Sequence, residues 1–348
     1  IPSGTMSLSK SPVIVGTGPA GLFCGLMLAK AGYKPILIEQ GLDVDNRTKI
    51  VEDFFENNLL STTCNIQFGE GGAGTFSDGK LNTLVKDKYG RNKKVLQVFV
   101  EHGAPEEILY VNKPHIGTDL LINIIKNIRE HIIELGGEVH FNTKLTGIEY
   151  SNDKLSGIVV ASDGIEKTIA TNVVVLAIGH SARDTFTMLK NKLDMEAKAF
   201  AVGLRIEHQR EMINESQYGK SQDAALLPTA SYKLAGKGKN GRNVYTFCMC
   251  PGGFIVNASS EEGKLAVNGM SNHDRMGDNS NSAIIVNVTP EDFSSKDVLA
   301  GMDFQRDLEK KAYIAGKGYV PIQTFGDYCS DVPTTKLGDI KPNIKGKF

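Results

Sequence analysis

Two clusters in this sequence carry side chains that could do acid–base chemistry. The stretch FGEGGAGTFSDGKL, residues 68–81, holds five glycines beside an acid and a base. Its Lys80 could place a positive charge beside a developing anion, or it could simply pair with Asp78 at the surface. The second cluster consists of His180, Arg183 and Asp184. Its His180 could exchange a proton with a ligand, or it could be a hydrogen-bonded histidine at the end of a strand.

Two cysteines form a third candidate group. Cys248 and Cys250 would point to the same face of a regular strand. They could act as a redox couple, although a Cys-x-Cys disulfide is strained, or they could lie in a buried strand that ends at a glycine turn. The chain has five cysteines, an odd number that fits free thiols in a reducing compartment, so we expect a cytoplasmic protein. No zinc-ligand spacing occurs, and we predict no metal site.

The elements that position these residues begin with a turn suited to phosphate. Residues 13–39 have the pattern of strand, tight turn, helix and strand, with Gly16, Gly18 and Gly21 in the turn. Gly16 permits the sharp turn, and Gly18 lets a pyrophosphate approach the backbone. Gly21 lets the helix pack closely on the strand. This context predicts dinucleotide binding.

The residues around this helix lean toward FAD rather than NAD. Pro19 and Ala20 open the helix, whose free amides and positive dipole end would face the phosphates. Glu39, with Gln40 beside it, closes the second strand, where an acid accepts hydrogen bonds from ribose hydroxyls. Glutamate at this position and Pro-Ala in the turn favour FAD weakly.

A helix, a β-meander and an apolar strand are predicted next. An apolar stripe from Leu121 to Ile132 indicates a helix with Thr118 as its N-cap. A strand at 138–142 precedes three short strands separated by tight turns, near 145–150, 156–161 and 165–170. Val173–Ile178 is a continuous apolar run, as expected of a strand buried on both faces.

This order of elements resembles the glutathione-reductase-like superfamily of FAD proteins, in which a β-meander interrupts the Rossmann unit. The resemblance covers residues 12–40 and 114–185. In that superfamily the strand after the meander leads to an Ala-x-Gly that touches the flavin nucleotide. Ala177 and Gly179 match this landmark, and Leu145 lies where the family's backbone contacts adenine. The resemblance implies FAD as the cofactor, with His180 and Arg183 as further contacts.

Residues 68–83 are similar, more narrowly, to the signature of uncharacterised FAD-dependent dehydrogenases, often labelled NAD(FAD)-utilising dehydrogenases. Four other stretches match the same family, at 113–121, 176–189, 202–209 and 245–271. The resemblance implies that Lys80 lies near the flavin N1–C2 carbonyl and that the main chain before it lies against the cofactor. The implied contacts in this segment are Gly71, Gly72, Ala73, Gly74, Thr75, Ser77 and Lys80.

The sequence departs from that family at its ends. Family members carry a preceding N-terminal domain and a C-terminal glycine-rich motif, whereas this chain runs from Ile1 to Phe348 without either. We therefore expect a chain shortened at both ends, a parallel sheet one strand short and an open flavin site. With no second G-x-G-x-x-G, NAD(P)H, if used, would bind transiently beside the flavin.

Length and composition fit a globular protein of two domains. The 348 residues are 41% hydrophobic and 23% charged, with a net charge of −1, which argues against a general affinity for nucleic acid or anionic membrane. Glycines and Pro19 interrupt the apolar run at 13–32, so no membrane span is expected. We predict a Rossmann-type FAD-binding domain at 11–85 and 114–198, a connecting insertion at 86–113, and an antiparallel α+β substrate domain at 199–345.

The predicted function is that of an FAD-dependent oxidoreductase, or dehydrogenase, that transfers hydride through flavin N5 to or from an unknown small molecule. Arg205 and Asn268 could face the flavin from the substrate domain, where Ser295 and Gly316 would bound a helix. One alternative is an RNA-modifying flavoprotein that uses the basic loops 86–94 and 237–243. Another is a non-catalytic FAD-binding fragment. The oligomeric state is not predicted.

Overall fold

A computed structural model of the chain describes residues 4–83 and 86–348. The chain divides into two compact units, the first formed by residues 1–52 and 61–194 and the second by residues 53–60 and 195–348. The predicted boundary after residue 85 falls at residues 84 and 85, outside the described residues. The predicted fold class is confirmed, because the protein is a mixed α/β structure with a parallel sheet and antiparallel sheets.

The first unit contains a parallel sheet and an antiparallel meander. Its strands are β1 (Val13–Val15), β2 (Ile36–Ile38), β3 (Glu138–His140), β4 (Thr143–Ser151), β5 (Lys154–Ser162), β6 (Ile165–Ala170) and β7 (Val174–Leu176). The helices that begin before residue 195 are α1 (Pro19–Lys30), α2 (Val44–Asn57), α3 (Arg91–Glu101), α4 (Thr118–Glu134) and α5 (Arg183–Leu189), with 3₁₀ turns at Gly72–Gly74 and Glu106–Leu109.

The central strand β1 is apolar throughout because both of its faces are covered. The parallel sheet has the order β3-β2-β1-β7, and β4, β5 and β6 pair antiparallel in a separate sheet. Ile14 packs into a core with α1 and α4, whereas Val13 and Val15 pack on the meander residues Leu145 and Ile158. Successive residues of a strand point to opposite faces, so three consecutive apolar residues are needed here.

Two expectations for the first unit are wrong. The run at 173–178 is only half-buried, because β7 pairs with β1 alone among the described strands and lies at the edge of the sheet. Thr118 does not cap α4; the residue before the helix is Gly117, and the Thr118 hydroxyl donates instead to the carbonyl oxygen of Thr75 at 2.7 Å. Local pattern does not reveal how far tertiary neighbours cover a strand or draw a hydroxyl away.

The second unit is mainly antiparallel. Its strands are β8 (Phe200–Gln209), β9 (Ala235–Lys237), β10 (Asn243–Cys250), β11 (Phe254–Asn257), β12 (Val267–Met270), β13 (Asn279–Val288) and β14 (Ile344–Lys345). The later helices are α6 (Arg210–Tyr218), α7 (Ala300–Ala315) and α8 (Phe325–Cys329), with 3₁₀ turns at Gln222–Leu226 and Pro290–Asp292. One sheet has the order β8-β13-β10-β9 and the other the order β12-β11-β14, in which β14 pairs parallel to β11.

Two details of the second unit also differ from expectation. Helix α7 begins at Ala300, not near Ser295, and ends as predicted at Gly316. Cys248 and Cys250 do not follow regular strand alternation, because the register of β10 against β13 shifts between Phe247 and Cys250, and Cys248 has a φ of +48°. A β-bulge therefore re-aims Cys248 while Cys250 is buried.

None of the described helices combines the length and the apolarity needed to cross a membrane.

Candidate cofactor site

The turn after β1 packs its main chain against two neighbouring segments. Gly16 has a φ of +98°, and a Cβ at this position would lie 2.5 Å from the carbonyl oxygen of Ala177. A Cβ on Gly21 would lie 1.8 Å from the carbonyl oxygen of Gly16. Neither position accepts a side chain, so the turn, the start of α1 and the Ala177–Gly179 segment lie close together as the sequence predicts.

The start of α1 presents unused backbone donors. Among the described residues, the amides of Gly18, Ala20 and Gly21 have no hydrogen-bond partner, and Pro19 has no N–H. Pro19 and Ala20 are exposed. Three free amides at the positive end of a twelve-residue helix make this turn suitable for an anion.

The glycine-rich stretch lies directly on this turn. The amide of Gly71 donates to the carbonyl oxygen of Thr17 at 2.9 Å, and a Cβ on Gly72 would lie 3.0 Å from the Cα of Gly18. Among the described residues, the amides of Ala73 and Gly74 have no partner. Two sets of free amides, one from each segment, therefore lie beside each other.

Arg47 of α2 holds the glycine-rich stretch in place. It is fully buried, its guanidinium lies 4.8 Å from the ring centre of Phe76, and burial lowers the pKa of Arg47 to about 10. It donates to the carbonyl oxygens of Asn65 at 3.0 Å, Ile66 at 2.9 Å, Gly69 at 3.2 Å, Glu70 at 2.6 Å and Gly72 at 2.9 Å. The still charged guanidinium thus satisfies five carbonyl groups of one loop.

The packing of Arg47 explains part of the glycine content. Gly69 has a φ of +116°, and a Cβ there would lie 2.4 Å from the Cδ of Arg47. Gly71 has a φ of +83°, and a Cβ there would lie 2.0 Å from the Oγ1 of Thr75. These glycines are required by contacts inside the protein.

Sequence reasoning missed Arg47, although a signal for it exists. Val44, Val51 and Phe54 are buried residues of α2, and their spacing marks one face of the helix. Arg47 falls on that same face, one turn after Val44. A single arginine within an apolar stripe indicates a buried cation with dedicated partners.

Glu39 ties three segments together at the end of β2. Its Oε2 accepts from the amide of Thr17 at 2.9 Å and from the Thr17 hydroxyl at 3.0 Å. Its Oε1 accepts from the amides of Gly41 at 3.0 Å and Gly69 at 3.1 Å. The carboxylate, which is 6% exposed, therefore has protein donors at all four of its lone-pair sites. Gln40, directly after it, is half-buried.

Glu70 is a buried acid of the glycine-rich stretch. Its side chain is completely buried, its Oε1 accepts from the Nε of Arg129 at 2.7 Å, and its Oε2 accepts from the amide of Val44 at 2.7 Å. Burial raises the pKa of Glu70 to about 6, against the lowering effect of Arg129. Glu70 thus links the glycine-rich stretch to the start of α2 and to α4.

The raised pKa of Glu70 makes a pH-dependent contribution to stability. Because the pKa of Glu70 in the folded protein lies above its ordinary value of 4.5, the protonated form is favoured by folding, and this contribution is lost as the pH rises through about 6. We expect the wild type to lose up to about 2 kcal/mol relative to Glu70→Gln between about pH 4 and pH 7.5. Urea unfolding followed by circular dichroism across this range measures the difference.

Glu101 provides a control of opposite sign. The hydrogen bond from Lys30 lowers the pKa of Glu101, so its contribution is present above the unfolded pKa and is lost as the pH falls. Relative to Glu101→Gln, the wild type should therefore gain stability as the pH rises. The same slope for both variants would contradict the assignment of Glu70 as a buried acid with a raised pKa.

The segment after β7 forms a small polar cluster. His180 is exposed, and its Nε2 lies 3.3 Å from the hydroxyl of Ser181, which donates to the Oε1 of Gln67. Ser181 is not a helix cap, since α5 begins at Arg183 after Ala182. Arg183 is 7% exposed, so its guanidinium lies within the protein. This cluster links the Ala177–Gly179 segment to the loop that Arg47 holds.

Other predicted site residues are used elsewhere in the first unit. Lys80 lies 3.0 Å from the carboxylate of the buried Asp78 and forms a one-residue antiparallel bridge with His115. The hydroxyl of Ser77 donates to the carbonyl oxygen of Gly74 at 2.6 Å. Leu145 is a core residue of the meander. Lys80, Ser77 and Leu145 are therefore structural in the absence of a ligand.

A comparison with protein families finds a match for the C-terminal part of the chain. Residues 199–348 match the family model described as "FAD-dependent protein, C-terminal domain-like". The likeness to an FAD-dependent family is thus found for this segment, which is less than half of the chain. The narrower assignment to NAD(FAD)-utilising dehydrogenases stays a prediction.

Similar proteins of known sequence or structure extend this comparison. An uncharacterised protein of Clostridium beijerinckii is 51% identical over 352 aligned positions, which cover 100% of this chain and 65% of that protein. This chain thus spans about two thirds of the length of its relative. The structure of the flavin-dependent brominase Bmp2 has a TM-score of 0.39 at 15% identity, over 88% of this chain and 64% of the brominase. The glycerol-3-phosphate dehydrogenase of Bacillus halodurans, complexed with FAD, has a TM-score of 0.39 at 12% identity, over 90% and 53% of the two chains.

Proposed function

We propose that this chain binds FAD at the turn after β1 and takes part in an oxidoreduction in which hydride passes through flavin N5. The observation that carries the proposal is the pair of facing segments with free amides. Gly18, Ala20 and Gly21 contribute one set, and Ala73 and Gly74 contribute the other. The family match of residues 199–348 supports the choice of cofactor.

The residues present fit the polar parts of this cofactor. The amides at the start of α1 would hold the pyrophosphate, with the helix dipole favouring its charge. Glu39 would accept from ribose hydroxyls only in exchange for one of its present donors. The Thr17 hydroxyl is the donor that can leave at least cost, because it is the only side-chain group among the four.

The flavin would supply the hydride acceptor, and the protein would position it and handle protons. Lys80 is already paired with Asp78 at 3.0 Å, so in this proposal it would contribute a positive charge that the ion pair holds in place. His180 is exposed and lies at the end of β7, where ligands of open α/β sheets bind. We therefore assign proton exchange to His180, with the Ser181 hydroxyl orienting its Nε2.

The test is the visible absorption spectrum of the purified chain before and after addition of FAD and desalting. We expect a retained band of flavin shape, and bleaching of that band when NADH or NADPH is added without oxygen. A chain that releases all added FAD would contradict the proposed cofactor site. A chain that keeps FAD but is reduced by neither nucleotide would contradict NAD(P)H as the donor and leave the cofactor site intact.

A further inference from the structure

A cation without an acidic partner lies in the main sheet of the second unit. Arg205 of β8 is half-buried, and its Nη1 donates to the Oδ1 of Asn281 at 2.5 Å and to the carbonyl oxygen of Cys248 at 3.4 Å. Its Nη2 lies 3.4 Å from the Oδ1 of Asn268. Among the described residues no carboxylate pairs with this guanidinium. Its partners are neutral oxygens only, which leaves its charge uncompensated.

Asn281 of β13, which binds this guanidinium, has an amide donor of its own that is not used. Because its Oδ1 accepts from Arg205, its Nδ2 must point away from the guanidinium. That Nδ2 is buried and has no hydrogen-bond partner among the described residues. Leaving a buried donor unpaired costs about 1–3 kcal/mol. The Nδ2 of Asn281 therefore lacks an acceptor, and the guanidinium of Arg205 has neutral acceptors but no carboxylate.

Strand β12 of the other sheet packs against the side chains of Arg205 and Asn281. A Cβ on Gly269 of β12 would lie 2.4 Å from the Nη1 of Arg205 and 2.3 Å from the Oδ1 of Asn281. Because Gly269 has no side chain, β12 can pack directly on Arg205 and Asn281. This packing restricts the two side chains and brings no charged group to them. Arg205 and Asn281 are therefore a positioned pair.

An apolar strip continues from Arg205 along the same face. Arg205 is paired with Ala283, and Ala283 with Phe247 across β8, β13 and β10. Residues paired directly across neighbouring strands share a face, so the three side chains form a row about 10 Å long. Ala283 is small and half-buried, and Phe247 is 60% exposed. The row is a cation, a small apolar side chain and an exposed aromatic ring.

We propose that this row binds an organic anion, with a carboxylate on Arg205 and a flat apolar body over Ala283 against Phe247. A guanidinium binds a carboxylate through two parallel hydrogen bonds, which suits its planar fork. As the substrate class of the oxidoreductase, this inference rests on the proposed function. As an anion site in the second unit, it stands on the contacts of Arg205, Asn281 and Phe247 alone.

The experiment is calorimetric titration with benzoate, and with benzamide as its neutral counterpart of the same shape, in the presence and absence of FAD. We expect saturable binding of benzoate, and binding of benzamide weaker by at least about tenfold, or about 1.4 kcal/mol. Equal binding of both compounds, or no saturable binding of benzoate, would overturn the proposal. If a chain that does not retain FAD still bound benzoate, the anion site would be supported. The proposed FAD-dependent function alone would then be contradicted.

Substitutions place the anion at Arg205. Arg205→Gln removes the charge, whereas Asn281→Asp keeps the arginine and supplies it with an internal carboxylate, so this variant should fold with its cation neutralised. Both should weaken benzoate binding by at least about tenfold. Arg242→Gln, which removes an arginine paired with Asp292 beside the same sheet, should leave it unchanged. If Asn281→Asp bound benzoate as tightly as the wild type, the assignment of the anion to Arg205 would be overturned. This outcome can be read even if Arg205→Gln does not fold.

Discussion

Replacing Arg47 with methionine will lower the free energy of unfolding of the first unit by at least about 3 kcal/mol. Methionine has a similar length and is apolar, so the variant keeps most of the packing volume and loses all the donors. Five carbonyl groups of residues 65–72 then lose the guanidinium. Among the described residues, those of Asn65 and Ile66 have no other donor, whereas those of Gly69 and Gly72 still accept from backbone amides. Each buried polar group left unpaired costs about 1–3 kcal/mol, although relaxation and water entry reduce the sum. A typical domain is stable by only about 5–15 kcal/mol.

A thiol beside the loop gives a local measure of this loss. Cys64 is 4% exposed and directly precedes the carbonyl groups that Arg47 binds. In the wild type we expect slow modification of Cys64 by a thiol reagent under native conditions. In Arg47→Met the loop should open more often, and Cys64 should react at least about tenfold faster. A decrease of about 1.4 kcal/mol in the free energy of local opening raises the open population tenfold. Mass spectrometry of the modified peptide identifies the site.

Two further variants control this experiment. Arg47→Lys keeps the charge but has three donors instead of five, so its loss of stability should fall between those of the wild type and Arg47→Met. Arg91→Met removes a guanidinium that lies over the exposed ring of Tyr89 and should change neither the urea midpoint nor the Cys64 rate. An Arg47→Met protein with the wild-type midpoint and a protected Cys64 would show that the loop does not depend on Arg47.

The parts of the fold that follow from local periodicity could be predicted from the sequence. The apolar run of β1, the glycines of the turn and the stripe of α4 each indicate their element directly, and the tight turns at Asn152 and Asp163 indicate the meander. The backbone of both residues is left-handed, with φ of +50° and +51°, which asparagine and aspartate tolerate better than most residues. Parallel pairing then follows because β1 and β2 are joined by a helix.

The contacts that shape the candidate site could not be predicted in this way. The sequence predicts Glu39 and Lys80 as ligand contacts, yet each is also bound by residues far from it in sequence or on another loop. The bulge at Cys248 depends on the register of β10 against β13, which no pattern within β10 reveals. Such features depend on tertiary pairing, which overrides local preference.

Replacing Gly18 with alanine will weaken FAD binding without weakening the fold. The neighbouring glycines cannot provide this test, because a Cβ on Gly16 or Gly21 would collide with backbone oxygens at 2.5 Å and 1.8 Å. Gly18 differs from both. Its φ is −66°, which alanine adopts readily. The nearest atom to a Cβ would be the Cα of Gly72 at 3.8 Å, an ordinary van der Waals distance.

The added methyl group should act only on a bound pyrophosphate. The second glycine of a dinucleotide-binding turn is the one that lets the pyrophosphate approach the backbone, so a methyl group there would hold the phosphates away from the free amides. We expect the dissociation constant for FAD to rise by about 10- to 100-fold, or about 1.4–2.8 kcal/mol. The urea midpoint of the protein without FAD should stay at its wild-type value.

Gly236→Ala is the matched control, since a Cβ there has no atom within 4 Å. It adds the same methyl group to the second unit and should change neither quantity. Flavin fluorescence during titration with FAD gives the dissociation constants, and urea unfolding of the same samples gives the midpoints. If Gly18→Ala bound FAD as tightly as the wild type, the pyrophosphate could not lie on this turn. If Gly18→Ala were instead destabilised, the 3.8 Å distance from the added Cβ to the Cα of Gly72 would be wrong. The free amides of the two segments could then no longer be assigned to a shared ligand.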